Sequence, residues 1–361
     1  MKKIIITLYF IATVITLHAQ DGSNQVNITT TAVPFLRISP DARSGSMGEA
    51  AMGLSPDVNS VFYNQAKTSF NTNKAGVALN YSPWMKEVAD DMYFTTLAGF
   101  YKPTDNKAIA ASLRYFSLGN VPIVDYNGNK LNTSQPREFA FDLGYSVKLS
   151  QHLGIGLTAR YIRSKLATGA VNGTDYKAGS AVAADLSLFY TNKNDEGKGW
   201  SAGLALSNLG TKISYTDDQS DFIPANLGVG AAYTEVWDKD NRITIAADIN
   251  KLLVPAVPTD QHEIKNYYET GVMESWLQSF NNQALQLGTG IEYQYKGLLS
   301  LRLGYSTRTY AAGNWQNLSV GTGLSLGIAT INFAYLVPTG DKINRSPLSN
   351  TIRLGVAVNI K

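Results

Sequence analysis

The sequence has no cysteine, which excludes disulfides, zinc ribbons, thiol catalysis and a lipidated N-terminal cysteine. Histidine is almost as scarce: His18, His152 and His262 are the whole set, too few for a histidine-rich metal site or a proton relay. No metal and no cofactor is expected. Charged residues make up 16% of the 361, against roughly 25% in soluble globular chains. The net charge is only +3, and without Lys2 and Lys3 the remaining basic residues nearly balance the 28 acidic ones. That is no footprint for nucleic acid. Long apolar runs are also missing. The longest, Ile4 to Leu17, falls short of the ~20 residues that a spanning helix needs. With Lys2-Lys3 before it and His18-Ala19-Gln20 after it, the run reads as a secretory signal peptide over residues 1–19, the alternative being a membrane anchor. The mature chain is then expected to leave the cytoplasm without a transmembrane helix.

Tyrosine (20) and glycine (31) are plentiful, and apolar residues recur with period two. From Thr351 to Ile360, Ile352, Leu354, Val356, Val358 and Ile360 alternate with Thr351, Arg353, Gly355, Ala357 and Asn359. The same alternation runs through 137–149, 243–250 and 299–306, giving strands with one apolar and one small or polar face. A soluble sandwich alternates too. These strands, however, run to about 10–14 residues where 5–6 is usual, and their connections alternate short with long. Short links fall at 103–106, 150–151, 192–197, 237–240 and 296–297, and long ones at 84–90, 119–136, 167–176, 210–221, 255–280 and 339–348. Short turns at one end and long loops at the other mark an outer-membrane barrel. Fourteen strands are expected, beginning near 74, 91, 107, 137, 152, 177, 198, 222, 241, 281, 298, 314, 328 and 348. The reading is an all-β protein, a transmembrane antiparallel barrel over 74–361 in a Gram-negative outer membrane.

Parity then turns Arg114, Glu138, Asp142, Arg160, Asp185, Asp248, Glu292, Arg302 and Arg353 into the lumen. Each Arg or Lys facing lipid at the bilayer centre would cost about 2–4 kcal/mol. Neither sign dominates, so a cross-braced wet lumen fits better than a charge-selective pore. Residues 20–73 break the period and are too few for an independent core. Their apolar content favours docking in the barrel mouth as a plug, with Phe35, Arg37, Asp41, Arg43, Phe62 and Asn64 as candidate plug residues and 34–70 closing the periplasmic side. A short helix is expected over 59–67, capped by Asp57 or Asn59.

The stretches 34–67 (PFLRISPDARSGSMGEAAMGLSPDVNSVFYNQAK), 76–102 (GVALNYSPWMKEVADDMYFTTLAGFYK), 274–280 (ESWLQSF) and 333–355 (FAYLVP…SPLSNTIRLG) resemble the PorV (LptO) family, FadL-like outer-membrane proteins of the Bacteroidetes type IX secretion system. The related PorQ proteins share the fold. Where the family usually has Asn-Pro-Ala, this chain has Asn64-Gln65-Ala66, and the loop after Phe280 is shorter. The resemblance implies a FadL-like barrel with an N-terminal plug, set among outer-membrane lipid and lipopolysaccharide. It implies as partners the SprA (Sov) translocon, cargo bearing a type IX C-terminal domain, and a PorU-containing attachment complex.

For such work exposed recognition loops matter most. In the 255–280 loop, Met273, Trp276, Leu277 and Phe280 recur at helical spacing, as a partner anchor or as a lid folded on the barrel's own mouth. Trp84 and Met85, in the first long loop, are further candidates, with a membrane-girdle position as the alternative. A FadL-type channel for hydrophobic molecules is the second functional reading. A lipid A deacylase is the third and weakest, because an acyl hydrolase commonly needs an activated nucleophile and His152 and His262 fall at opposite barrel ends. No enzyme is expected.

Overall fold

The computed structural model describes residues 28–85, 90–124, 128–167, 169–171, 173–217, 219–339 and 350–361. The signal-peptide region, 1–19, lies outside the described residues. Fourteen antiparallel strands close into a single barrel. They are β1 (Ala75–Pro83), β2 (Met92–Thr104), β3 (Lys107–Leu118), β4 (Arg137–Lys148), β5 (Leu153–Lys165), β6 (Gly179–Thr191) and β7 (Gly199–Gly210). The second half comprises β8 (Asn226–Val236), β9 (Asn241–Leu252), β10 (Leu285–Tyr295), β11 (Leu299–Arg308), β12 (Gln316–Leu326), β13 (Ala329–Pro338) and β14 (Thr351–Ile360). The seam between β1 and β14 runs from Ala75↔Ile360 to Tyr81↔Leu354. Closure removes every free strand edge, which hydrocarbon could not solvate. No helix among the described residues is long and apolar enough to cross a membrane.

Strand number and most boundaries agree with the periodicity, and the two largest displacements have local causes. The eighth strand begins at Asn226 rather than near 222, because Pro224 cannot donate to a ladder. Before it, Ser220–Asp221 pairs with Ile213–Ser214 in a small mouth hairpin. The tenth begins at Leu285 rather than near 281, because a 3₁₀ turn continues over Ser279–Asn281.

Alternation decides what each face meets. Along β4, Glu138, Ala140, Asp142, Gly144 and Ser146 are buried in the lumen, while Phe141, Leu143 and Tyr145 are exposed on the outer wall. Rings form a row near the long-loop end, through Tyr81–Tyr93–Tyr115 and Phe139–Tyr161. A second set lies near the short turns, with Trp200–Tyr233 and Trp237–Tyr293. Two aromatic belts bracketing an apolar band are what the two membrane interfaces demand, and the asymmetry of short turns and long loops sets the short turns on the periplasmic side.

Candidate functional site

The lumen is occupied by the chain's own N-terminal segment. It starts at the long-loop mouth, where the Thr29 amide donates to the Ala311 carbonyl and the Ala32 amide to that of Phe222. Val33 then turns the chain inward at φ 47°, a strained value for a β-branched residue. Its side chain is fully buried in a cluster with Phe35, Phe94, Ile162 and Trp315. Phe35 stacks on Phe116 at 6.5 Å. From this mouth cluster the segment descends through the lumen. Near the short-turn end Val58, Val61 and Phe62 pack on Ala78, Ala98 and Phe100, and β1 begins there. The expected occlusion from the periplasmic side alone is therefore corrected: residues 34–38 fill the extracellular mouth, and only the later part reaches the other end.

Wall side chains hold this segment by backbone and by charge. The Asp248 carboxylate accepts from the amides of Ala51 (2.6 Å) and Met52 (2.8 Å). Arg43, in the short helix α1 (Ala42–Ser46), donates to Glu292 at 3.0 and 3.2 Å and to Asp57 at 3.1 Å. Glu292 also accepts from Arg302 at 2.6 Å. Glu49 faces Arg353 at 3.5 Å and Arg308 at 3.9 Å. A second network spans the wall itself, with Arg114 and Arg160 both on Asp142 and Arg160 also on Asp185. The inward charges read from parity are thus all buried, as opposed pairs or small networks, except that Asp248 rests on backbone amides and Glu138 accepts from the Ser164 hydroxyl at 2.6 Å.

Of the three charged candidate plug residues, only Arg43 is ion-paired to the wall, through Glu292. Asp41 caps α1 by accepting from the Ser44 amide and takes a bond from the Tyr63 hydroxyl. Arg37 has no ion pair among those described. The helix expected over 59–67 is two 3₁₀ turns, Val58–Phe62 and Gln65–Phe70. Asn64 breaks it, its amide donating to the Leu188 carbonyl while its oxygen caps the second turn through the Ala66 amide. Sequence reasoning missed Glu49 and Lys67 as well as the wall glycines. A Cβ at Gly290 would lie 2.5 Å from the Met47 oxygen, one at Gly304 2.0 Å from the Gly48 nitrogen, and one at Gly321 2.4 Å from Ser46. These glycines occupy inward positions of adjacent strands, a sequence signal that a backbone lies against them.

Above the lumen, the β9–β10 loop carries α2 (Gln261–Glu269) and α3 (Val272–Gln278). Tyr267 packs edge-on against Phe222 at 5.4 Å. Lys212 donates to the Tyr268 carbonyl at 2.7 Å and lies 4.2 Å over the Phe222 ring. Burial lowers the Lys212 ammonium below its ordinary pKa and pushes the Tyr267 phenol up to about 12. Lys251 ties the loop's return to the carbonyls of Ser279 and Asn282, both at 2.8 Å. The apolar stripe is split by this packing. Trp276 is half-buried and, with Val272, Val182 and Leu209, lines an apolar groove of about 480 Å³ against the wall. Met273, Leu277 and Phe280 remain 75%, 74% and 62% exposed. Trp84 is corrected: it is buried, packed edge-on against Phe116 at 5.5 Å, and half-buried Met85 packs on the same cluster. Neither a partner anchor nor a girdle, Trp84 continues the inward parity of Asn80 and Ser82. His152 sits at a short turn, its Nδ1 2.8 Å from the Thr191 carbonyl oxygen, and His262 lies in the first turn of α2 at the opposite end.

A family model described as type IX secretion system protein PorV matches residues 20–260. A search of curated proteins found no match. Among solved structures, the toluene transporter TbuX of Ralstonia pickettii is 11% identical, covering 90% of this chain and 99% of its own, with a TM-score of 0.56. The toluene transporter TodX of Pseudomonas putida is 14% identical over 92% and 98%, with a TM-score of 0.54. A FadL homologue of Pseudomonas aeruginosa is 10% identical over 90% and 99%, with a TM-score of 0.53. At such identities the likeness establishes a shared FadL-like barrel fold.

Proposed function

The chain belongs to the PorV family of type IX secretion system proteins, and from that premise we propose that it binds a SprA-type translocon in the outer membrane. There it receives cargo carrying a type IX C-terminal signal domain and passes it to a PorU-containing attachment complex. The observation that carries this reading is the exposed apolar side of α3, Met273, Leu277 and Phe280, standing at the extracellular mouth of a lumen its own chain already fills. Such a molecule is built to recognise at its rim. Residues 20–73 serve as the plug and 74–361 as the barrel. The family and the transporter-like fold both point to a non-enzymatic role.

Transport of hydrophobic small molecules is the second reading, favoured by the names of the solved neighbours. It needs a continuous apolar route, whereas the segment within this lumen is held by Asp248, Glu292 and Arg353, all buried. Deleting the gene and comparing secreted type IX cargo across the proteome tests the first reading. Cargo with C-terminal signal domains should accumulate in the periplasm, and normal export would sink the proposal.

A further inference from the structure

Charge on the outer wall is scarce, and one cluster of it is all of one sign. On the outward faces of β4 and β5, Arg137 pairs directly across the ladder with Lys165, and Arg163 faces Phe139 one pleat below. Like charges directly opposite one another destabilise a strand pair. Arg163 donates to the Ser180 hydroxyl at 2.7 Å. Among the described residues, none of the three cations has a carboxylate within ion-pair distance.

Their height on the barrel identifies what faces them. The outer aromatic row ends at Phe139 and Tyr161, whose rings are 6.2 Å apart, and such rows lie at lipid headgroup level. Arg163 is one pleat above Tyr161, and Lys165 one pleat higher, at roughly 6.6 Å per pleat. Below the row, Phe141, Leu143 and Leu157 are exposed on the wall. The position therefore calls for an anion attached to hydrocarbon.

We propose that Arg137, Arg163 and Lys165 form a site on the lipid-facing wall for the phosphate of a phosphorylated, multiply acylated outer-leaflet glycolipid, its acyl chains lying on the apolar wall below. The phosphate bridges the opposed cations and removes their repulsion; charge-assisted bonds from guanidinium to phosphate are among the stronger ones available. This site is independent of the partner contacts assigned to α3.

Native mass spectrometry of the full-length protein in detergent, with monophosphoryl lipid A or its dephosphorylated counterpart added, tests the assignment. The wild type should retain the phosphorylated lipid at least tenfold better than Arg137→Gln/Arg163→Gln/Lys165→Gln does. Replacing Lys107, Lys239 and Lys296 by Gln at the short-turn rim should leave retention unchanged. Equal retention by all three proteins, equal loss in both variants, or displacement of the lipid by equimolar inorganic phosphate would each overturn the proposal. If the triple variant fails to fold, Lys165→Gln decides alone. It should raise the heat-modification midpoint in phosphate-free detergent and lose most of the stabilisation that lipid A gives the wild type. Undiminished stabilisation by lipid A would count against the site.

Discussion

Glu292 shows how much one inward residue carries. It lies between the guanidinium groups of Arg43, from the N-terminal segment, and Arg302, from the neighbouring strand. Removing one partner from a buried ion pair typically costs about 3–5 kcal/mol, because the remaining charges are left uncompensated. Glu292→Gln should lower the heat-modification midpoint on gels clearly, and an unchanged midpoint would mean water already screens the site. Gly304→Val should also destabilise, since its Cβ would fall 2.0 Å from the Gly48 nitrogen and overpacking costs about 1–3 kcal/mol. Protease sensitivity at residues 46–50 would report the displaced segment. Parity made the inward direction of Glu292, Arg302 and Arg353 legible, because a one-residue slip would have turned each into lipid. Which charge each would meet was not legible, since Arg43 and Glu49 belong to a segment without period, whose path depends on glycines three strands wide.

At the scale of elements, helical spacing revealed that α3 has an apolar face but not which way the helix is turned. The groove beside β6 and β7 absorbs Trp276, and Met273, Leu277 and Phe280 stay outside. Two variants separate these roles. Met273→Ser/Leu277→Ser/Phe280→Ser should preserve barrel assembly, because these residues lie outside the ladder. Recovery of translocon and cargo by copurification should fall. Hot-spot truncations cost about 2 kcal/mol or more, roughly thirtyfold in affinity. Wild-type recovery would return the stripe to a lid. Trp84→Ala should do the reverse, destabilising the mouth cluster by about 3–5 kcal/mol as large core truncations do while leaving partner recovery intact in the folded fraction. Trp84 was open to a better reading from sequence: it continues the inward register of Ala78, Asn80 and Ser82, which the proline at 83 does not reset.

For the whole molecule, the barrel was legible almost strand by strand because lipid enforces period two over long segments. The lumen was not, because no comparable constraint acts on residues 28–73. Deleting 34–70 from the reconstituted barrel should raise ion conductance sharply, and unchanged conductance would remove the plug assignment. The path of that segment also fixes the parity of the chain. The fourteen strands and the threaded segment together make an odd number of passages through the membrane, so the two ends of the described chain face different compartments. Because the protein has no cysteine, the arrangement can be read on intact cells with single introduced thiols. Ile28→Cys should react with a membrane-impermeant maleimide from outside, whereas Lys361→Cys should react only after the outer membrane is opened.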